Sequence, residues 1–252
     1  MTRRPISFLP ALAALLLAGA ASGKTLKDFA ETYPLESGGS ISLENINGDI
    51  ELSSWDRDEV EVRYRVTGDS EKALDRVKVK INADAAHLRI DTVHSKSKSW
   101  WGSGNSASVH YELIVPSDAR LRSVETVNGS ISIKGVRGEV DAETVNGGIE
   151  VTGLESDAKL STVNGSVEAT MERFGADQRV SLESVNGRIQ VYIPDDADVE
   201  IRAETVHGSL RNDFGLPVEK GMVGRDLRGR LGDGGGRLSL DTVNGSISIR
   251  RR

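Results

Sequence analysis

The chain has 252 residues, no cysteine, a formal net charge of -6, 4% aromatic residues and 27 glycines. The absence of cysteine excludes disulfides, thiolate chemistry and a lipid-modified cysteine anchor, and the acidic balance disfavours nucleic acid and anionic lipid as partners. With so few aromatics, a core has to be built from Val, Ile and Leu between many tight turns.

Met1-Thr2-Arg3-Arg4 precedes an apolar run over residues 8–18 and small residues through Gly23. This is the three-part pattern of a secretory signal peptide over residues 1–23. The run is short for a bilayer span, and Ala18-Gly19-Ala20 and Ala21-Ser22-Gly23 each offer a small-x-small cleavage site, so a cleaved signal is preferred to a retained anchor. Pro5 and the strongly apolar run favour the general secretory route over twin-arginine export. Losing Arg3 and Arg4 takes the formal charge from -6 to -8. The expected address is the periplasm, or secretion to the cell surface, with no transmembrane anchor.

Residues 24–120 form an N-terminal β region. Alternating apolar positions predict strands over 60–66, 77–81, 88–90 and 109–115, and residues 70–76 suggest a short helical turn. The polar stretch 95–106 reads as an exposed loop around Trp100-Trp101, flanked by Lys96 and Lys98. Tryptophan in a loop is either a partner-binding element or a cover for an open coil end.

Residues 121–252 carry the repeat, in one domain continuous with the N-terminal region. Thr126-Val127-Asn128-Gly129, Thr144-Val145-Asn146-Gly147 and Thr162-Val163-Asn164-Gly165 stand 18 residues apart, and Thr242-Val243-Asn244-Gly245 closes the series. Variants occur at Asn45-Ile46-Asn47-Gly48, Ser184-Val185-Asn186-Gly187, Thr205-Val206-His207-Gly208 and Thr92-Val93-His94-Ser95. Each lies between runs of period two, such as Val180 and Leu182 before and Ile189, Val191 and Ile193 after, which means strands with one buried face.

Asn-Gly between such runs also fits an antiparallel meander. Matched Thr, Val, Asn and Gly favour coils stacked about 4.8 Å apart, where like sits on like and Asn amides form a ladder. The predicted fold is therefore all-β, a single-stranded β-helix or solenoid with an irregular N-terminal β region. In it the turn ladder comprises Asn47, Gly48, Asn128, Gly129, Asn146, Gly147, Asn164, Gly165, Asn186, Gly187, His207, Gly208, Asn244 and Gly245. Gly is expected to supply a positive φ, Asn a tolerant bend residue and Thr a half-buried row. Val127, Val145, Val163 and Val185 form one column, and Ile131, Ile149, Val167 and Ile189 another. The 37-residue interval from His207 to Asn244, with its glycine-rich stretch 228–236, reads as a long loop.

Several further features carry the resemblance to a known family: Gly48-Asp49-Ile50-Glu51-Leu52, then Trp55-Asp56-Arg57-Asp58-Glu59-Val60, then Val115-Pro116-Ser117-Asp118-Ala119, the Thr-Val-Asn-Gly coils and the glycine-rich loop before Leu238. Together they make nearly the whole mature chain resemble the putative adhesin family of secreted bacterial β-helix proteins, a domain-of-unknown-function family. The resemblance implies a β-helix and a surface or adhesive role, and no catalytic residues.

The chemistry-bearing residues are weak as sites. His87, His94, His110 and His207 lack ligand spacing, so no metal or other cofactor is expected. The column Glu125, Glu143, Glu183 matches where polysaccharide-cleaving β-helices place acids, but an outward strand row is polar in any case. Asp195, Asp196 and Asp198 lack the pattern of a calcium loop. The expected function is non-enzymatic: binding or scaffolding toward a cell-envelope component or protein. A polysaccharide-active β-helix enzyme and an envelope protein that self-associates end to end are the alternatives.

Overall fold

The computed structural model describes residues 25–94, 107–221 and 223–252. In chain order the strands begin with β1 (Thr25–Pro34), β2 (Ser40–Glu44), β3 (Ile50–Trp55) and β4 (Glu59–Gly68). A one-turn helix α1 (Glu71–Leu74) follows, then β5 (Val77–Ala83), β6 (His87–His94) and β7 (Ala107–Pro116). Ser70 caps α1, its side chain accepting from the Ala73 N–H. The repeat region supplies β8 (Arg120–Asn128), β9 (Ile131–Lys134), β10 (Val140–Asn146), β11 (Ile149–Leu154), β12 (Ala158–Asn164) and β13 (Val167–Met171). It continues through β14 (Arg179–Asn186), β15 (Ile189–Ile193), β16 (Val199–His207), β17 (Leu210–Asn212), β18 (Val218–Lys220), β19 (Arg225–Leu231), β20 (Gly236–Asn244) and β21 (Ile247–Arg251).

These strands make two sheets, one of ten strands and one of eleven. Each coil contributes one strand to each sheet, with the Asn-Gly turn between them, as in β10–turn–β11. Successive coils pair in parallel with like on like: Val140 opposite Ala158, Thr144 opposite Thr162, Asn146 opposite Asn164. The inward residues of the two sheets close on one another in a continuous aliphatic core that includes Leu160, Leu182, Ile149 and Ile189. The period-two pattern therefore produces a solenoid, and a meander is ruled out by the parallel register.

Stack order differs from chain order at both ends. In the eleven-stranded sheet β2 lies between β6 and β8, and β20 lies between β14 and β16. Thus the first coil is second in the stack, and the last coil is second from the far end. Wedging gives each of these coils hydrogen-bonded neighbours on both sides, so a terminal coil frays only by splitting the stack.

Antiparallel strands finish the parallel stack. At one end β4 joins β7 and β1, and β5 joins β6; there Phe29 stacks on Tyr64, with ring centroids 4.6 Å apart. At the other end β19 pairs antiparallel with β16 and carries β18. The interval expected to be a long loop is therefore partly strand. Its glycine content hides the alternation, and Gly229 leaves the room that the Leu216 side chain occupies.

Candidate binding face

Three of the four motif positions have a direct architectural role. The Thr or Ser side chain points inward, at 0–4% exposure from Thr126 to Thr242, so the row is buried and not half-buried as expected. Its hydroxyl donates to the glycine carbonyl of the adjacent coil: Thr144 to Gly129 at 2.9 Å, Thr162 to Gly147 at 2.9 Å, Ser184 to Gly165 at 3.0 Å and Thr242 to Gly187 at 3.2 Å. Thr126 bonds Gly48 at 3.1 Å and Thr205 bonds Gly245 at 2.9 Å in the same way. A buried hydroxyl thus meets a turn carbonyl that accepts no backbone N–H among the described residues, and each satisfies the other.

Asn side chains form a one-directional amide ladder. The Nδ2 of Asn128 donates to Asn47 Oδ1 at 2.8 Å, Asn146 to Asn128 at 3.0 Å, Asn164 to Asn146 at 3.0 Å, Asn186 to Asn164 at 3.0 Å and Asn244 to Asn186 at 2.9 Å. His207 lies opposite Asn244 at the end of that column.

The glycine role requires correction. Among Gly48, Gly129, Gly147, Gly165, Gly187, Gly208 and Gly245, only Gly48 has a positive φ. What excludes a side chain at the others is the next coil: a Cβ on Gly165 would lie 1.8 Å from the Gly147 carbonyl oxygen, and one on Gly187 1.7 Å from that of Gly165. The turn brings two backbones too close for any Cβ.

The fourth position, Val or Ile, has no such role. It faces solvent from the eleven-stranded sheet. Val93, Ile46, Val127, Val163, Val185 and Val243 are 38–41% exposed, with Val145 and Val206 partly covered. In stack order these eight form a single aliphatic ridge across the coils. Apart from Val218 and Val223, every exposed large hydrophobic among the described residues is on it.

Two residues earlier on each strand runs an acidic rail: Asp91, Glu44, Glu125, Glu143, then Ser161, then Glu183, Asp241 and Glu204. The register stacks Glu44 against both Asp91 and Glu125, and Glu183 against Asp241. Like charges directly opposite one another destabilise a sheet. Cations reach the rail only at its ends among the described residues, where Arg89 contacts Glu44 at 2.6 Å and Asp91 at 2.9 Å, and Arg202 lies 4.0 Å from Glu204. Along the middle, serines on the same strand donate instead: Ser123 to Glu125, Ser181 to Glu183 and Ser239 to Asp241, at 2.6, 3.1 and 2.9 Å. A hollow of about 350 Å³ lies between ridge and rail, bounded by Val185, Val243, Val206, Glu183, Asp241 and Glu204. A second, of about 570 Å³, lies further along the same face around Asp141, Lys159, Arg179, Ser181, Arg202 and Arg237. Loss of water raises the pKa of Asp141 there; Lys159 opposes the shift, and Glu125 and Glu139 add to it.

Other residues that the sequence singles out have local partners. Asp195 pairs with Arg251 at 2.5 Å, while Asp198 Oδ1 accepts the backbone N–H groups of Gly234 and Gly235, pinning the glycine-rich turn. These aspartates are therefore divided between two structural tasks. His87 caps onto Asp84 at 3.2 Å and His110 lies 3.5 Å from Asp49, far apart along the chain from His207. Burial lowers the pKa of His94. Trp100 and Trp101 lie outside the described residues, as does the 1–23 signal segment. No described helix is long and apolar enough to cross a membrane.

The ridge was present in the sequence as strand parity. Val180 and Leu182 point inward, so Ser184 does too, and Val185 has to point out. The same count applied to every copy converts a column of valines into an exposed row.

The family model described as Toastrack DUF4097 matches residues 32–250. Among solved structures, a putative cell adhesion protein from Clostridium sporogenes is 14% identical, covers 90% of this chain and 100% of its own, and has a TM-score of 0.48. A putative adhesin from Bacteroides fragilis is 12% identical over 90% of this chain and 97% of its own, with a TM-score of 0.41. A putative lipid binding protein from Parabacteroides distasonis is 13% identical over 89% and 96%, with a TM-score of 0.30. The comparison with curated proteins finds no match.

Proposed function

The chain belongs to the Toastrack DUF4097 family, and from that premise we propose that it is a non-enzymatic binding or scaffold protein of the cell envelope, engaging its partner through the ridge-bearing face. The signal-like segment at residues 1–23 supports export to the periplasm or cell surface. The observation that carries the reading is the exposed valine position. Thr, Asn and Gly are each required by the stack, whereas the outward position needs only a β-branched residue, and Thr would supply that without exposing methyl groups. A contiguous exposed aliphatic row is the mark of an interaction surface.

The coil stack suits such a surface. Amide, hydroxyl and backbone ladders hold the outward rows at regular spacing, so little ordering entropy is lost when a partner docks. The test is capture of envelope components by the immobilised protein, by the triple variant Val145→Thr, Val163→Thr, Val185→Thr, and by a control on the other sheet, Glu150→Gln with Glu168→Gln. The ridge variant loses the captured material and the control keeps it. Undiminished capture by the ridge variant would refute the assignment of the face.

A further inference from the structure

Resting on that assignment, we propose that the occupant of the face is a cationic amphipathic α-helix of a partner polypeptide, lying along the ridge with its apolar stripe on the valines and its Lys/Arg flank on the acidic rail.

Pitch is the first argument. Ridge residues recur once per coil, about 4.8 Å apart. An α-helix laid across the coils presents its apolar stripe about every 5.4 Å, whereas an extended chain presents one face about every 6.6–6.8 Å. The helix drifts by about 0.6 Å per coil, so its side chains stay within about 1.2 Å of three successive ridge residues such as Val145, Val163 and Val185 and slip by half a coil spacing only at the fifth, whereas an extended chain slips by about 1.8–2.0 Å at every coil.

Width and length agree with this. Ridge and rail are two residues apart on each strand, about 6.7 Å, and a helix of about 10–12 Å diameter covers both rows. The hollow between them, about 350 Å³, gives its side chains a seat beside Val185 and Val243. The eight ridge positions span about 34 Å, the length of a helix of about 22 residues.

Charge decides the flank. The rail is acidic at seven of its eight positions, and Glu125, Glu143, Glu183 and Asp241 stack on other rail positions with no ion pair to a described cation. Stacked carboxylates repel one another, and a row of ammonium or guanidinium groups relieves that repulsion while steering the approach of the partner. The same rail repels an anionic bilayer.

The probe is a synthetic helix of about 22 residues with a leucine stripe and a lysine flank, titrated calorimetrically into the folded protein beside a peptide with Glu in place of every Lys. The lysine peptide binds and the glutamate peptide does not. Val145→Thr, Val163→Thr, Val185→Thr weakens binding about tenfold or more, and Glu125→Gln, Glu143→Gln, Glu183→Gln weakens it similarly and flattens its salt dependence. An unchanged melting curve for the valine triple, and one unchanged or raised for the glutamate triple, whose stacked charges repel, establish that the surface was altered and the fold kept. Equal binding of the glutamate peptide, or binding insensitive to the valine triple, overturns the inference. So does preferential binding to phosphatidylglycerol vesicles without peptide binding. If the valine triple loses envelope capture but neither peptide binds, the face stands as a binding surface and only the cationic helix is refuted.

Discussion

Gly165→Ala isolates the reason for the motif glycine. An alanine Cβ would stand 1.8 Å from the Gly147 carbonyl oxygen and 2.5 Å from its carbon, where contacts under 3.0 Å are essentially never found. The two coils have to part by at least about 1.2 Å at that turn, beyond hydrogen-bonding reach. Four bonds cross there: Gly147 N–H to Asn164 O at 3.1 Å, Ile149 N–H to Ser166 O at 2.9 Å, Thr162 to Gly147 at 2.9 Å and Asn164 to Asn146 at 3.0 Å. At about 1 kcal/mol each, the substitution costs about 4 kcal/mol, a fall in melting temperature of about 8–16 °C for a chain of this size. Gly148→Ala is the control. Its Cβ meets only the Ser166 oxygen, at 3.2 Å, and Ser130, Ser166 and Ser246 occupy the equivalent position in other coils. That change should cost no more than about 1 kcal/mol. Urea unfolding of both variants, followed by circular dichroism, gives the comparison. Equal tolerance of the two substitutions would refute close coil approach as the reason for glycine.

Thr162→Val removes a hydroxyl donor of nearly the same shape from a buried site and leaves the Gly147 carbonyl short of one bond; unfolding should show a loss of about 1–2 kcal/mol. Val163→Thr, outward on the next residue, should change stability by less than about 0.5 kcal/mol in the same assay. Asp141→Asn should stabilise at pH 7. Burial raises the folded pKa of Asp141 above its unfolded value, so the aspartate contributes relative stability only at low pH and loses it as pH rises through the folded pKa. The advantage of Asn should vanish in melts taken below the carboxylate range. Asp198→Ala frees the N–H groups of Gly234 and Gly235, and faster amide exchange at those residues is the expected result.

Much of the fold was legible because a strand announces itself by alternation. Strands expected over 60–66, 77–81 and 109–115 are observed as β4, β5 and β7, and the repeated Asn predicted a stack before any contact was known. Stack order was not legible. Every coil offers its neighbour the same Thr hydroxyl, Asn amide and glycine carbonyl, so spacing along the chain says nothing about which coils adjoin; Asn47 meets Asn128 across 81 residues. The glycine role was ambiguous for a related reason, since positive φ and close backbone approach demand the same residue. The binding face was half legible. Glu125, Glu143 and Glu183 align as a column that fits ordinary solvated acids, and Val127 to Val185 align as another, but alignment alone gives neither column a side. Parity relative to Leu182 and Ser184 settles that side, and only the two rows together make an amphipathic surface.

The most direct test of the central claim, that the outward valines are the contact surface and not part of the framework, is methyl NMR of the valine-labelled protein titrated with solubilised envelope. The account predicts shifts or broadening at Val127, Val145, Val163, Val185 and Val243, while the core methyls of Val124, Val140, Val167 and Val191 stay in place. Perturbation elsewhere on the surface with the ridge methyls unmoved would contradict it.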